Sequence, residues 1–208
     1  TARAFDAAKL EWRPAANAKF DLFSSSVVRN DPGRRLNVSE PGARLHGLYG
    51  QLANVAPRST LEPFLLVRTS AAAVGELGLH GREERYTGGF RLWSKSLGGW
   101  DYNASLVGQW GRAAGAPVRA WGAYGEVGRT WTRVPGKPRP YVEYTFGSGD
   151  SDPSDGRVGG FVDLYPTAHL WYGYNDMVGW RNLKNLRAGL DLKPNPKLGV
   201  KLDYHAFW

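Results

Sequence analysis

The most constraining feature of this chain is a strict two-residue alternation, clearest in its last stretch, LGVKLDYHAFW at residues 198–208. Leu198, Val200, Leu202, Tyr204, Ala206 and Trp208 share one parity; Gly199, Lys201, Asp203, His205 and Phe207 share the other. Successive side chains leave a strand on opposite faces, so this pattern predicts a strand with one apolar and one polar face. A one-residue slip would move Lys201 and Asp203 to the apolar side. If that side meets lipid, a mid-depth Lys costs roughly 2–4 kcal/mol and a carboxylate less.

The pattern recurs about ten times, over residues 3–13, 19–29, 43–52, 61–69, 84–95, 100–111, 118–131, 139–148, 181–193 and 198–208. The facing of 43–52 stays ambiguous by parity. Most of these stretches reach ten residues, whereas strands of globular proteins peak near 5–6 and about 9–11 tilted residues cross a bilayer. Short and long connections alternate, as they do when one barrel end carries turns and the other carries loops. Trp12, Trp100, Tyr102, Trp110, Trp131 and Trp208 stand at the outward strand ends, as in interfacial girdles. The expected fold is all-β, an antiparallel transmembrane β-barrel forming a single domain over residues 1–208. A soluble β-sandwich or jelly roll is the competing architecture, since it alternates too.

Composition narrows this further. No run approaches the ~18 apolar residues of a membrane helix, the longest being Phe64-Leu65-Leu66-Val67. The mean hydropathy is negative, which excludes helical membrane proteins but not barrels, whose strands average out as polar. The 208 residues include no Cys, so disulfides and thiolate metal sites are excluded. The net charge of +8 is scattered, its longest basic run being Arg34-Arg35. Basic residues do not interleave with aromatics on one face, which argues against nucleic-acid binding. With four His and no HExxH, G-x-S-x-G or phosphate-binding loop, no catalytic constellation is present and no enzyme activity is expected.

Parity assigns Lys9, Arg68, Arg85, Arg91, Arg187 and Lys201 to the inner face, with Glu11, Asp21, Glu62, Glu126, Glu143, Asp191, Asp203 and His205. Two readings of this mixed wall stand side by side. Arginines can lower the barrier for carboxylate-bearing sugars while acids prevent trapping, or the charges can simply pair across strands. The remaining basic residues (Arg34, Arg35, Arg82, Arg112, Arg129, Arg133, Lys137, Arg157) fall in loops and rims, where they can meet lipopolysaccharide or lead an anion inward. Asp150, Asp152 and Asp155 alternate before Gly156, a spacing that raises Ca²⁺ binding although EF-hand spacing is not met. The aromatic run 161–180 does not alternate, and its Trp171, Tyr172 and Tyr174 are candidates to stack on sugar rings at the pore mouth, beside His169.

Five segments carry a family resemblance: GSGDSDPSDGR at 147–157, LYPTAHLWYGYNDMVGWRNL at 164–183, LKPNPKLGVKLDYHAFW at 192–208, and more loosely GGWDYNASLVGQWGR at 98–112 and RAWGAYGEVG at 119–128. Together they resemble the alginate-export porins. The resemblance implies a monomeric outer-membrane barrel of a Gram-negative bacterium, with an Arg-rich lumen that passes an anionic polysaccharide. It also implies about 18 strands, so that the ten here would be part of a larger barrel cut at both ends. Outer-membrane lipid, lipopolysaccharide and periplasmic export proteins are the expected partners. A small-solute porin is the alternative within this class. A soluble periplasmic glycan-binding protein is the alternative outside it.

Overall fold

A computed structural model describes residues 4–29, 33, 38–75, 78–165 and 179–208. They form one antiparallel sheet of ten strands in sequential order. The strands are β1 (Ala4–Ala15), β2 (Ala18–Arg29), β3 (Val38–Ala56), β4 (Ser59–Val74), β5 (His80–Leu97), β6 (Trp100–Ala113), β7 (Ala116–Arg129), β8 (Arg139–Gly147), β9 (Leu183–Asn195) and β10 (Leu198–Phe207). Each alternating stretch of the sequence is a strand. The largest differences are at β3, which runs well beyond 43–52 at both ends, and at β4, which runs well past Thr69. Among the described residues β1 pairs only with β2 and β10 only with β9.

The two ends of the sheet differ. One carries the turns at 16–17, 57–58, 98–99 and 196–197 and the connection 130–138; the other carries 30–37, 75–79, 114–115 and the long connection 148–182. The pair 114–115 is the shortest connection on the loop side.

Burial is inverted relative to a soluble protein. The large apolar side chains are the exposed ones, including Leu10, Leu22, Leu48, Leu65, Phe90, Leu106, Val127, Val142, Leu186 and Leu202. The buried side chains include Glu62, Glu83, Arg85, Gln109, Glu143, Asn185 and Arg187. Register makes the outer surface continuous: Leu10 lies opposite Leu22, Leu22 opposite Leu48, and Leu48 opposite Leu65. Such a surface is unfavourable in water and suited to hydrocarbon. This register also settles the faces of β3, with Leu48 outward and Tyr49 inward. Ser24 and His46 interrupt the apolar surface and hydrogen-bond to each other at 2.9 Å, each satisfying the other where lipid offers no partner.

Outward aromatics cluster toward both strand ends. On the turn side Trp12 packs on Phe20 and the Arg129 guanidinium sits over Trp100. On the loop side Tyr86 stacks on Trp110, while Trp121 packs tilted on Phe146 and Tyr144 on Trp208. From Trp100 to Trp110 along β6 is about 34 Å of strand, or about 25 Å of height at a barrel's usual tilt, matching the apolar band of outer-membrane barrels. Leu106 lies between these girdles and faces outward. Leu106→Arg is therefore expected to cost roughly 2–4 kcal/mol in lipid, read from the urea midpoint in vesicles. Arg at Ser105, one residue away on the polar face, is expected to change it far less.

Candidate functional site: the inner wall and its in-folded loop

Three directly opposed pairs on the inner face carry like charge: Glu11 with Asp21, Arg68 with Arg85, and Glu126 with Glu143. Such rungs repel; the first two are bridged by opposite charge and the third by a shared hydroxyl donor. Lys19 reaches Glu11 at 3.1 Å and Asp21 at 3.3 Å, and Lys9 reaches Asp21 at 3.4 Å. Glu83 takes Arg85 at 2.6 Å and Arg68 at 3.4 Å. The Tyr124 hydroxyl lies 3.2 Å from both Glu126 and Glu143.

Two arginines organise the β6–β10 half. Arg139 donates to Asp101 at 2.9 Å, Glu126 at 2.6 Å and Asp191 at 3.2 Å. Arg187 donates to Glu143 at 3.0 Å, the Tyr141 hydroxyl at 2.7 Å and Asp203 at 3.1 Å, and Tyr141 in turn donates to Asp203. The Tyr141 ring lies over Gly189, its cross-strand partner, where any side chain would collide with it. The guanidiniums of Arg139 and Arg187 stand 4.8 and 5.1 Å from its centroid and the Lys201 ammonium 5.5 Å. His205 completes this wall, 3.3 Å from the buried Asn185 and stacked on Phe207. In the other half Arg91 donates to Asn103 at 2.8 Å and to Glu62 at 3.4 Å.

Every inner-face charge expected from parity joins these networks. They do not behave alike. The Arg187 side chain is 7% exposed and Glu143 2%, so this pair belongs to the wall. Arg85 is 3% exposed and also structural. Arg91 is 45% exposed despite its partner, and Lys9 and Lys201 are similarly open. Among the described ion pairs, β1–β5 contribute six cations (Lys9, Arg13, Lys19, Arg68, Arg85, Arg91) against four acids. From β6 to β10 five acids face three cations. The wall is thus electrically two-sided.

Parity could also have found Lys19, Asp101 and Arg139, which share the inner set of Asp21, Asn103 and Tyr141. Glu83 was out of reach because β5 was expected to begin after it.

The long connection folds against this wall. β8 pairs with β7 only from Gly122 to Gly128, leaving the loop-side edge of β7 bare. The connection covers it. Val158 bridges to Val118, receiving the Arg119 amide at 2.9 Å and donating to the Pro117 carbonyl at 2.9 Å. Ala113, Val118 and Val158 form a small buried apolar cluster there. Gln109 then holds the loop through both amide atoms, donating to the Val162 carbonyl at 2.8 Å and accepting its N–H at 3.0 Å. Phe161 packs over Gly122 and on Trp180, which stacks with Tyr124. Tyr165 reaches Phe5 of β1, edge to face at 5.1 Å, and Arg68 of β4. Residues 161–165 therefore lie across the polar face. The loop's Asp163 accepts the Trp180 N–H at 3.1 Å, and burial pushes its carboxyl above the usual aspartate value of 3.8.

Trp171, Tyr172, Tyr174, His169, Arg34 and Arg35 lie outside the described residues. Asp150, Asp152 and Asp155 each accept backbone N–H groups of their own loop: Asp152 and Gly159 on Asp150, Ser154 on Asp152, and Arg157 on Asp155. Among the described residues no three acidic or imidazole groups converge as a metal site requires. Calcium at these aspartates accordingly rests on composition alone.

No helix among the described residues is long and apolar enough to cross a membrane, which leaves crossing by strands open. Comparison with curated proteins and with solved structures returns no match. The family model for alginate export matches residues 1–208, the whole chain, and the chain belongs to that family.

Proposed function

We propose that this chain builds the wall of an outer-membrane channel through which an anionic, alginate-like polysaccharide diffuses passively along a charged lumen. The family is one of transport porins rather than enzymes. The observation that carries the finer reading is the two-sided wall. Open cations on β1–β5, Arg91 and Lys9 foremost, offer a track to uronate carboxylates, while the acidic excess on β6–β10 disfavours them there. Because Arg91 keeps nearly half its side chain exposed, a passing carboxylate can meet and leave its open edge while the buried Glu62 stays paired with it. Reversible exchange of this kind favours conduction over trapping. Exposed basic residues on the loop side, including Arg112 and Arg119, suit lipopolysaccharide phosphates.

A small-solute channel is the second reading, favoured by residues 161–165 crossing the polar face. In planar bilayers Arg91→Glu is expected to weaken block by oligomannuronate by about tenfold, the scale of one lost charge-assisted contact. Unchanged block removes the β1–β5 track, and block by monomeric uronate as strong as by the oligomer supports the second reading.

A further inference from the structure

The turn-side rim holds a charge cluster separate from the inner wall. The connection 130–138 and the 196–197 turn between β9 and β10 enclose an open groove of about 700 Å³. Arg133, Lys137, Lys193 and Lys197 line it, with Val134 and Leu198 as its apolar part. No acid lines it, and among the described residues none of these four cations meets a carboxylate. We infer that the groove is a binding site for the phosphate headgroup of an anionic phospholipid. The inference needs a membrane barrel but is independent of what the channel carries.

The chemistry of the cluster points to phosphate. Cations of the inner wall are neutralised by carboxylates, Arg139 by three of them. Four cations gathered without an acid repel one another until an anion joins them. Three of the four are lysines. An ammonium binds phosphate as a point charge, whereas planar recognition of a carboxylate favours arginine. The backbone that carries them is tied down. The Lys193 N–H donates to the Gly136 carbonyl at 2.7 Å and the Lys137 N–H to the Val134 carbonyl at 2.9 Å. The Lys197 N–H donates to Asn195 Oδ1 at 2.9 Å, and Pro135, Pro194 and Pro196 fix φ on both sides of the groove. A headgroup thus meets a site whose backbone is already set.

Depth points to lipid rather than a soluble anion. The Thr130 N–H donates to the Gly99 carbonyl at 2.8 Å, so the connection leaves the sheet beside Trp100 of the turn-side girdle. Trp131 and Val134 follow, both exposed. Leu198 is half exposed and shares the parity of the outward Leu202. The cations therefore lie just past the apolar band, at headgroup level, with Val134 and Leu198 beside them for the start of the acyl chains. Short turns mark the periplasmic end of outer-membrane barrels, which is the phospholipid leaflet, and basic pockets at a membrane rim recognise such headgroups.

The test counts ligands bound to the full protein in neutral detergent micelles by native mass spectrometry. The probes are phosphatidylglycerol, phosphatidylcholine, inorganic phosphate and oligomannuronate. Saturable retention of one phosphatidylglycerol is expected, with phosphatidylcholine and inorganic phosphate far weaker. A cation near an anionic lipid surface is worth about fivefold in affinity, so Lys193→Gln with Lys197→Gln should weaken retention about 25-fold. Arg58→Gln with Lys95→Gln removes the same charge from exposed positions toward the same end of the sheet and should leave it unchanged. Circular dichroism confirms that both double variants keep their strands. The inference is overturned if phosphatidylcholine is retained equally, if inorganic phosphate binds as tightly, if oligomannuronate displaces the lipid, or if the two double variants lose equally. Polymer block in planar bilayers reads the channel separately, so either reading can fall while the other stands.

Discussion

Replacing Arg187 with methionine is expected to destabilise the barrel by about 3–5 kcal/mol, the usual result of removing one partner of a buried ion pair. Arg187 supplies three hydrogen bonds at once, to Glu143, Tyr141 and Asp203. Glu143 suffers most, because its side chain is 2% exposed and water cannot replace the guanidinium. It would keep only the Tyr124 hydroxyl, while standing directly opposite Glu126. The loss comes mainly from the orphaned carboxylate rather than from the pair's net attraction. Adding Glu143→Gln to Arg187→Met should therefore recover part of the stability. Urea unfolding in micelles measures both. A double variant no better than the single one contradicts this account. Block by anionic sugar should follow Arg91 instead, since Arg187 is too enclosed to meet a solute.

Gly147→Val is expected to open the channel. Gly147 ends β8 where the returning loop passes over it, and a Cβ there would overlap the Trp180 carbonyl. Forcing volume into such a contact costs typically 1–3 kcal/mol. Relief comes by moving Trp180, which gives up its packing on Phe161 and its stacking on Tyr124. Aromatic pairs are worth about 0.5–1.5 kcal/mol each. With each 1.4 kcal/mol a factor of ten, the undocked population should rise about tenfold or more. Single-channel recording should show higher or noisier conductance with strand content unchanged. Conductance equal to that of the native protein would place the loop clear of the path.

Outside β3, the strands and their facing were legible because a barrel wall obeys one local rule, the two-residue alternation seen from Lys9 to Lys201. The inner charges follow from it, as does the leucine row except Leu48, whose facing needed register. What parity could not supply was the partner of each charge, which depends on register between strands far apart in sequence. Arg187 and Arg91 look identical as letters, yet register encloses one and leaves the other open. The loop was legible only as a break in alternation at 161–180. Its docking depends on β8 stopping at Gly147 and baring the edge of β7, a consequence of strand length that no short motif encodes.

The central claim is that the charged wall selects an anionic polymer. The direct measurement is single-channel current through the full protein in a planar bilayer, with oligomannuronate compared against a neutral oligosaccharide of equal length. Block by oligomannuronate alone, weakening as salt is raised because exposed charges are screened, is the predicted result. Equal block by the neutral oligomer, or no block by either, would contradict it.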